Sequence, residues 1–174
     1  MSSDFARLEV HLAIIDRDVA PVMQRYREHI QCRRGCSRCC AQTFSISALE
    51  GDYLRHGLAR LPAEARDDIL ARARTYRPGD PCPVLASDGA CRLYAHRPRI
   101  CRKYGIPLWH PDRPDEVRTC ELNFRDVVDI DADLILEPQA EWARDWIRLR
   151  EDAGDPRPAA TIAEHLRTTA EPTR

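Results

Sequence analysis

CRRGCSRCC, residues 32–40, sets four thiols within nine positions. Such density is hard to explain by packing and easy to explain by a thiophilic metal, because cysteine thiolates are the characteristic ligands of zinc and of iron-sulfur clusters. The spacing is C-x3-C-x2-C-C, through Cys32, Cys36, Cys39 and Cys40. Its C-x2-C step, from Cys36 to Cys39, is the knuckle interval in which a tight turn aims two sulfurs at one ion. Cys39 and Cys40 are adjacent and cannot point the same way in regular structure. They serve different centres, or one ligates while the other packs or takes part in chemistry.

Four more cysteines lie downstream, at Cys82, Cys91, Cys101 and Cys120. Their intervals are too long and uneven for a local two-knuckle ribbon, so these sulfurs have to converge through folding. All eight are candidate metal ligands: Cys36, Cys39, Cys82, Cys91 and Cys101 lead, followed by Cys32, Cys40 and Cys120. His96 and His110 could complete a mixed site, but eight thiols make neither necessary. The bound group expected is an iron-sulfur cluster or zinc. No serine-histidine-acid spacing, nucleotide-binding loop or paired catalytic carboxylate stands out, and the catalytic residues, if any, are unassigned.

Composition agrees with a metal-stapled fold. The 174 residues suit one domain, and the 43% hydrophobic share includes 21 alanines and eight cysteines against only 6% aromatics. An apolar core so thin gains from an ion that binds only the folded state, worth on the order of 10 kcal/mol in small thiolate domains. Net charge is -1, which gives no bulk attraction to nucleic acid or to a membrane surface. No stretch approaches the roughly 20 apolar residues of a membrane span, and the N-terminus lacks a basic start followed by an apolar run. The expectation is a cytoplasmic protein, where thiols are metal ligands or redox groups rather than structural disulfides. Arginines gather beside the cysteines (Arg33, Arg34 and Arg38, then Arg92, Arg97, Arg99 and Arg102). They either offset the charge of a thiolate centre or form a solvated face.

Outward from the cluster the chain reads as mainly α with a few short strands. Phe5, Leu8, Leu12, Ile15, Val19, Val22 and Tyr26 recur at three and four, giving a helical face, with a kink or break expected near Pro21. The AQTFSIS stretch is a short strand, and Ser47 with Glu50 forms an S-x-x-E cap ahead of a helix to about Leu58. A further helix starts at Pro62 and ends at Arg77-Pro78-Gly79. Asp80 to Pro114 is rich in proline and reads as irregular loops. Val127 to Glu137 alternates like a strand or hairpin arm, and a helix follows from Pro138 to Arg150 with Trp142, Trp146 and Leu149 on one face. Asp126, Asp129, Asp131 and Asp133 read as a solvated acidic face, since the glycine and glutamate of a calcium loop are missing. The domain is placed at residues 1–154, and 155–174, with at most a short helix at Ile162 to Arg167, is expected to be a flexible tail.

The cluster, followed by CPVLASDGACRLYAHRPRICRKY, resembles the YkgJ-type cysteine-cluster proteins described as zinc- or iron-chelating domains. The family's C-P-x-L, D-G-x-C, R-P and C-R-x-Y fall on Cys82 to Leu85, Asp88 to Cys91, Arg97-Pro98 and Cys101 to Tyr104. The resemblance covers about Cys32 to Tyr104 and implies metal chelation in a structural, regulatory or metal-handling role, with the metal as partner. The cluster pattern is also similar to that of flagellin lysine N-methylases, which implies as an alternative an iron-sulfur enzyme of redox or group transfer.

Overall fold

A computed structural model describes residues 3–33, 35–126 and 129–167. It is mainly α: six helices and two short two-stranded antiparallel sheets form among these residues. Backbone proximity divides the chain into two compact units, Met1–Arg33 with Arg99–Asp155, and Arg34–Pro98 with Pro156–Arg174.

The first unit is built on α1 (Ser3–Arg25), whose face of Leu8, Leu12, Ile15, Val19 and Val22 is buried as the spacing predicts, as is Tyr26 just beyond its end. The helix does not break at Pro21, although a proline there forfeits one backbone bond. It ends at Arg25 and is followed by a single 3-10 turn, Arg27–His29, so Cys32 lies beyond it, outside any helix or strand. Against α1 pack α4 (Arg99–Lys103) and α5 (Ala132–Ala153). The core they share holds Ile15, Val19, Val22, Ile106, Phe124, Ile135 and Trp142. Between α4 and α5 runs a hairpin of β2 (Leu108–His110) and β3 (Arg113–Arg118), the latter exposed throughout.

The strand expected over Val127–Glu137 is corrected here. Residues 132–137 are the opening turns of α5, while Val127 and Val128 lie outside the described residues. Ile135, Trp142 and Leu149 recur every seven residues and all face inward, a helical period that the local Ile-Leu alternation hid. Asp131 caps the helix by accepting from Asp133 N–H, and Gly154, in the left-handed region at φ 57, closes it. Pro138 sits inside rather than at the start. Gln139, fully enclosed, donates to Pro107 O and Ile135 O and accepts from Trp109 N–H, which fastens β2 to α5. The acidic residues near this end act as cap and surface charge: Asp131 also pairs with Arg25 at 3.6 Å.

The second unit contains α2 (Ala48–Leu58) and α3 (Ala63–Thr75). The Ser47–Glu50 capping box is formed in both directions. The short helix allowed at Ile162 to Arg167 is present, within a segment that packs on its unit. β4 (Ala160–Thr161) pairs with β1 (Ser45–Ile46), and α6 (Ile162–Arg167) packs on α2 and α3 with Ile162, Ala163, His165 and Leu166 buried. Thr161 and Glu164 form a second reciprocal cap: Glu164 N–H donates to Thr161 Oγ1 at 3.2 Å, and Thr161 N–H to Glu164 Oε2 at 2.7 Å. Proline and threonine on either side made this segment look unstructured. Residues 168–174 of the expected tail lie outside the described residues.

Candidate metal centre

In the second unit a 3-10 turn, Arg38–Ala41, carries Cys39 and Cys40. So tight a turn lets the two adjacent thiols share a hydrogen bond, an arrangement that regular structure would forbid. Cys82 N–H donates to Cys40 O at 2.7 Å and ties the downstream loop to this turn. That loop folds back on itself: Arg92 N–H donates to Val84 O, Ala86 N–H to Ala90 O, and Leu85 bridges to Cys91. Cys82 and Cys91 are thereby brought into one neighbourhood, close enough for their charges to act on one another and on Cys39 and Cys40. Cys36 is half-buried in the same unit.

Two glycines make the loop's approach possible. Gly35 and Gly89 both have positive φ, and a Cβ on Gly89 would lie 2.8 Å from Gly35 O. Only a glycine fits there without displacing backbone.

The electrostatics are those of thiols competing for the right to ionise. The hydrogen bond from Cys40, opposed by burial and helped by the Arg97 guanidinium, lowers Cys39 to about 6. Cys40 is raised, chiefly by that same bond and then by burial. Burial pushes Cys82 up to about 11 and raises Cys91, while backbone N–H groups of Val84 and Leu93 favour the respective thiolates. One thiolate is tolerated, and each further one meets burial and like charge. Arg97 stands over the Tyr94 ring, 3.6 Å from its centre, and donates to Tyr94 O at 3.2 Å. It is the arginine whose charge reaches both Cys39 and Cys91.

The first unit holds the other three. Cys32 is exposed, Cys101 sits half-buried on α4, and Cys120 is buried. Asn123, which nothing in the sequence singled out, donates from Nδ2 to Cys32 Sγ at 3.3 Å. His96 packs on Gly57 and against the rings of Tyr53 and His56, and His110 is exposed and accepts from Asp112 N–H.

All eight cysteines are free thiols. Among the described residues no three Cys, His, Asp or Glu side chains stand so as to hold an ion as they are placed. In donor chemistry the set nevertheless fits a thiophilic group: soft sulfurs, backbone N–H groups turned toward them, and a guanidinium beside them. Cys39, Cys40, Cys82 and Cys91 would hold it, and a zinc ion or an iron-sulfur cluster would supply the positive charge that lets several thiols ionise together.

A thiol-rich chelating domain of this kind is a recognised class. Over residues 31–123, more than half of the chain, the sequence matches the model of the CxxCxxCC family, described as "Putative zinc- or iron-chelating domain", and the chain belongs to that family. Its first interval, Cys32 to Cys36, has three residues where the family's name writes two. Comparison with curated proteins and with solved structures finds no match. No helix among the described residues is long and apolar enough to cross a membrane.

Proposed function

We propose that this protein chelates zinc or an iron-sulfur cluster through cysteine thiolates, and that the bound group serves a structural, regulatory or metal-handling role in a reducing, cytoplasmic setting. The observation that carries this reading is the gathering of Cys39, Cys40, Cys82 and Cys91 in one unit, where a charge on Cys39 raises the cost of ionising the other three. A bound cation offsets that repulsion, so Cys40, Cys82 and Cys91, which resist ionisation alone, ionise together with Cys39 around a metal. An iron-sulfur cluster is the native occupant favoured here. Eight free thiols exceed one tetrahedron, and Arg97 stands where it offsets the negative charge of a thiolate-bound cluster.

Anaerobic purification with analysis of iron, zinc and acid-labile sulfide tests it. Brown protein with iron and sulfide in similar amounts is the expected result. Colourless protein with stoichiometric zinc and no sulfide would replace the cluster by a zinc site of structural or regulatory kind. Protein that neither retains nor takes up either metal under reducing conditions would remove the chelation reading.

A further inference from the structure

We infer that Arg72, on α3, is a positioning residue for Cys82, its guanidinium clamping both ends of the turn that carries this sulfur. The inference rests on the chelating function proposed above and adds to it a residue that is not itself a ligand.

Cys82 opens a four-residue turn, which Leu85 N–H closes by donating to Cys82 O at 3.0 Å. Pro83, fully buried, locks the first corner, and the Val84 N–H is directed at the Cys82 sulfur. Arg72 reaches this turn from α3. Its Nη2 donates to Cys82 O at 3.2 Å and its Nη1 to Leu85 O, so one planar group holds the carbonyls of the first and last residues. The Cys82 carbonyl thus accepts twice, which engages both of its lone pairs. On the other side of the same Cα, Cys82 N–H donates to Cys40 O at 2.7 Å. Both peptide groups that flank Cys82 are fixed, and with them the direction in which its side chain leaves the backbone.

Arg72 belongs to a stripe on its helix. Ala65, Asp68 and Arg72 follow one another at three and four, which sets them on one face of α3, beside the buried Ile69 and Ala73. Asp68 pairs with Arg92 at 2.7 Å and stands 4.0 Å from Arg72, and Arg92 also donates to Ala65 O at 3.5 Å. Arg92 follows Cys91 in the chain, and its own N–H donates to Val84 O at 3.0 Å. The same helical face therefore holds the loop at two places, at Cys82 through Arg72 and at the residue after Cys91 through Asp68. Burial raises Cys82, and the Arg72 charge opposes that rise. Groups that orient a metal ligand from behind in this way are worth about 10–100-fold in metal affinity. Lysine is no substitute for such a clamp, since it brings the charge without the rigid fork of donors.

The test uses the reduced full chain. Zinc affinity is measured by competition with a chromophoric chelator, and the sulfur-to-metal charge-transfer band is read at saturating cobalt(II). Arg72→Lys keeps a cation beside the turn and removes the fork, whereas Arg72→Gln removes both. Each should weaken zinc binding about 10–100-fold and reduce the cobalt band, because the Cys82 sulfur is no longer held toward the ion. Arg167→Gln is the comparison. Arg167 also clamps two carbonyls at the end of α3, those of Ala73 and Tyr76, which lie outside the cysteine loop. Its substitution should lower stability in denaturant, yet change zinc affinity less than about threefold and leave the cobalt band whole.

Full affinity in Arg72→Lys beside a loss in Arg72→Gln would show a charge acting without positioning, and would overturn the inference. Unchanged affinity in both would do the same while leaving chelation itself standing. An equal loss in Arg167→Gln would mark the effect as a general loosening of the unit, and failure of both Arg72 proteins to fold would make Arg72 a merely structural residue; either result overturns the inference. A wild-type chain that binds neither zinc nor cobalt would remove the chelating function, and this inference with it.

Discussion

Acidification should destabilise the first unit through one histidine. His11 lies on α1, 3% exposed, stacked on Trp146 with ring centres 5.6 Å apart, and its Nε2 has no hydrogen-bond partner. Burial lowers its pKa to about 4; Arg99 and Lys103 push in the same direction and Asp145 opposes them. The unfolded chain takes up this proton near the ordinary value of 6.5, the folded chain only near 4. Between those values the unfolded state binds more protons, so stability is complete above about 6.5 and is lost as the pH falls toward 4. At about 1.36 kcal/mol per pKa unit the loss approaches 3 kcal/mol, and screening of the Arg99 and Lys103 charges brings it nearer to about 2 kcal/mol. Set against a total of roughly 5–15 kcal/mol for a domain, this is a visible fraction. Denaturant titrations of the metal-free protein across this range, compared with His11→Phe, isolate the contribution. The phenylalanine keeps the ring on Trp146 and should flatten that part of the pH profile. A His11 imidazole resonance titrating near 6.5 in the folded protein, or equal profiles for the two proteins, would refute the reasoning.

Other outcomes follow from the same geometry. Leu166→Ala, at a position 2% exposed on α6, should cost about 2–5 kcal/mol in chemical denaturation; a loss below about 1 kcal/mol would show that α6 is not part of the fold. Removing residues 156–174 should for the same reason weaken the second unit rather than pass unnoticed, as circular dichroism and melting temperature would reveal. Cys82→Ser and Cys91→Ser should each lose metal and melt earlier than the loaded wild type, and full metal retention in both would exclude them as ligands. Because burial holds Cys82 and Cys91 protonated at neutral pH, metal binding must release their protons. Zinc affinity should therefore fall about tenfold for each unit by which the pH is lowered and for each proton displaced, a dependence that pH-resolved competition titrations measure directly.

Much of this was legible in the chain, and the exceptions share a cause. The buried face of α1 could be read because seven apolar residues keep the helical interval, and the cap at Ser47 because its partner stands three residues on. The Thr161–Glu164 cap has the same signature, yet the prolines before it and the polar residues after it drew attention away. α5 was misread at its front because Asp131 to Glu137 alternates over a window too short to tell two periods apart; only the distant Trp142 and Leu149 reveal the helical one. The ligand types could be read from spacing, but their grouping could not. Asn123 was invisible for the plainest reason: it acts on Gln31 and Cys32, 92 and 91 positions away, and no local pattern announces such a bond.

The geometry also gives physical content to the motif around the downstream cysteines. In C-P-x-L, the buried Pro83 fixes the turn after Cys82, and the N–H of Val84 is directed at the sulfur. In D-G-x-C, Asp88 accepts from Ala90 N–H at 3.0 Å, which tightens the turn, and Gly89 permits the approach to Gly35 that sets this loop beside the first cluster. After Cys91 the N–H of Leu93 repeats the role of Val84. In R-P, Arg97 lies across Tyr94 with its charge toward Cys39 and Cys91. Each element thus makes a sulfur easier to ionise, by a backbone dipole, by a fixed cation, or by bringing it to a neighbour that shares its proton. Burial works against all of them, since Cys82 and Cys91 remain raised. A motif that spends proline, glycine and arginine on favouring thiolates, in a place where burial still keeps them protonated, is built for a state in which a further positive charge is present. That is the physical sense in which chelation is written into the fold and not only into the number of cysteines.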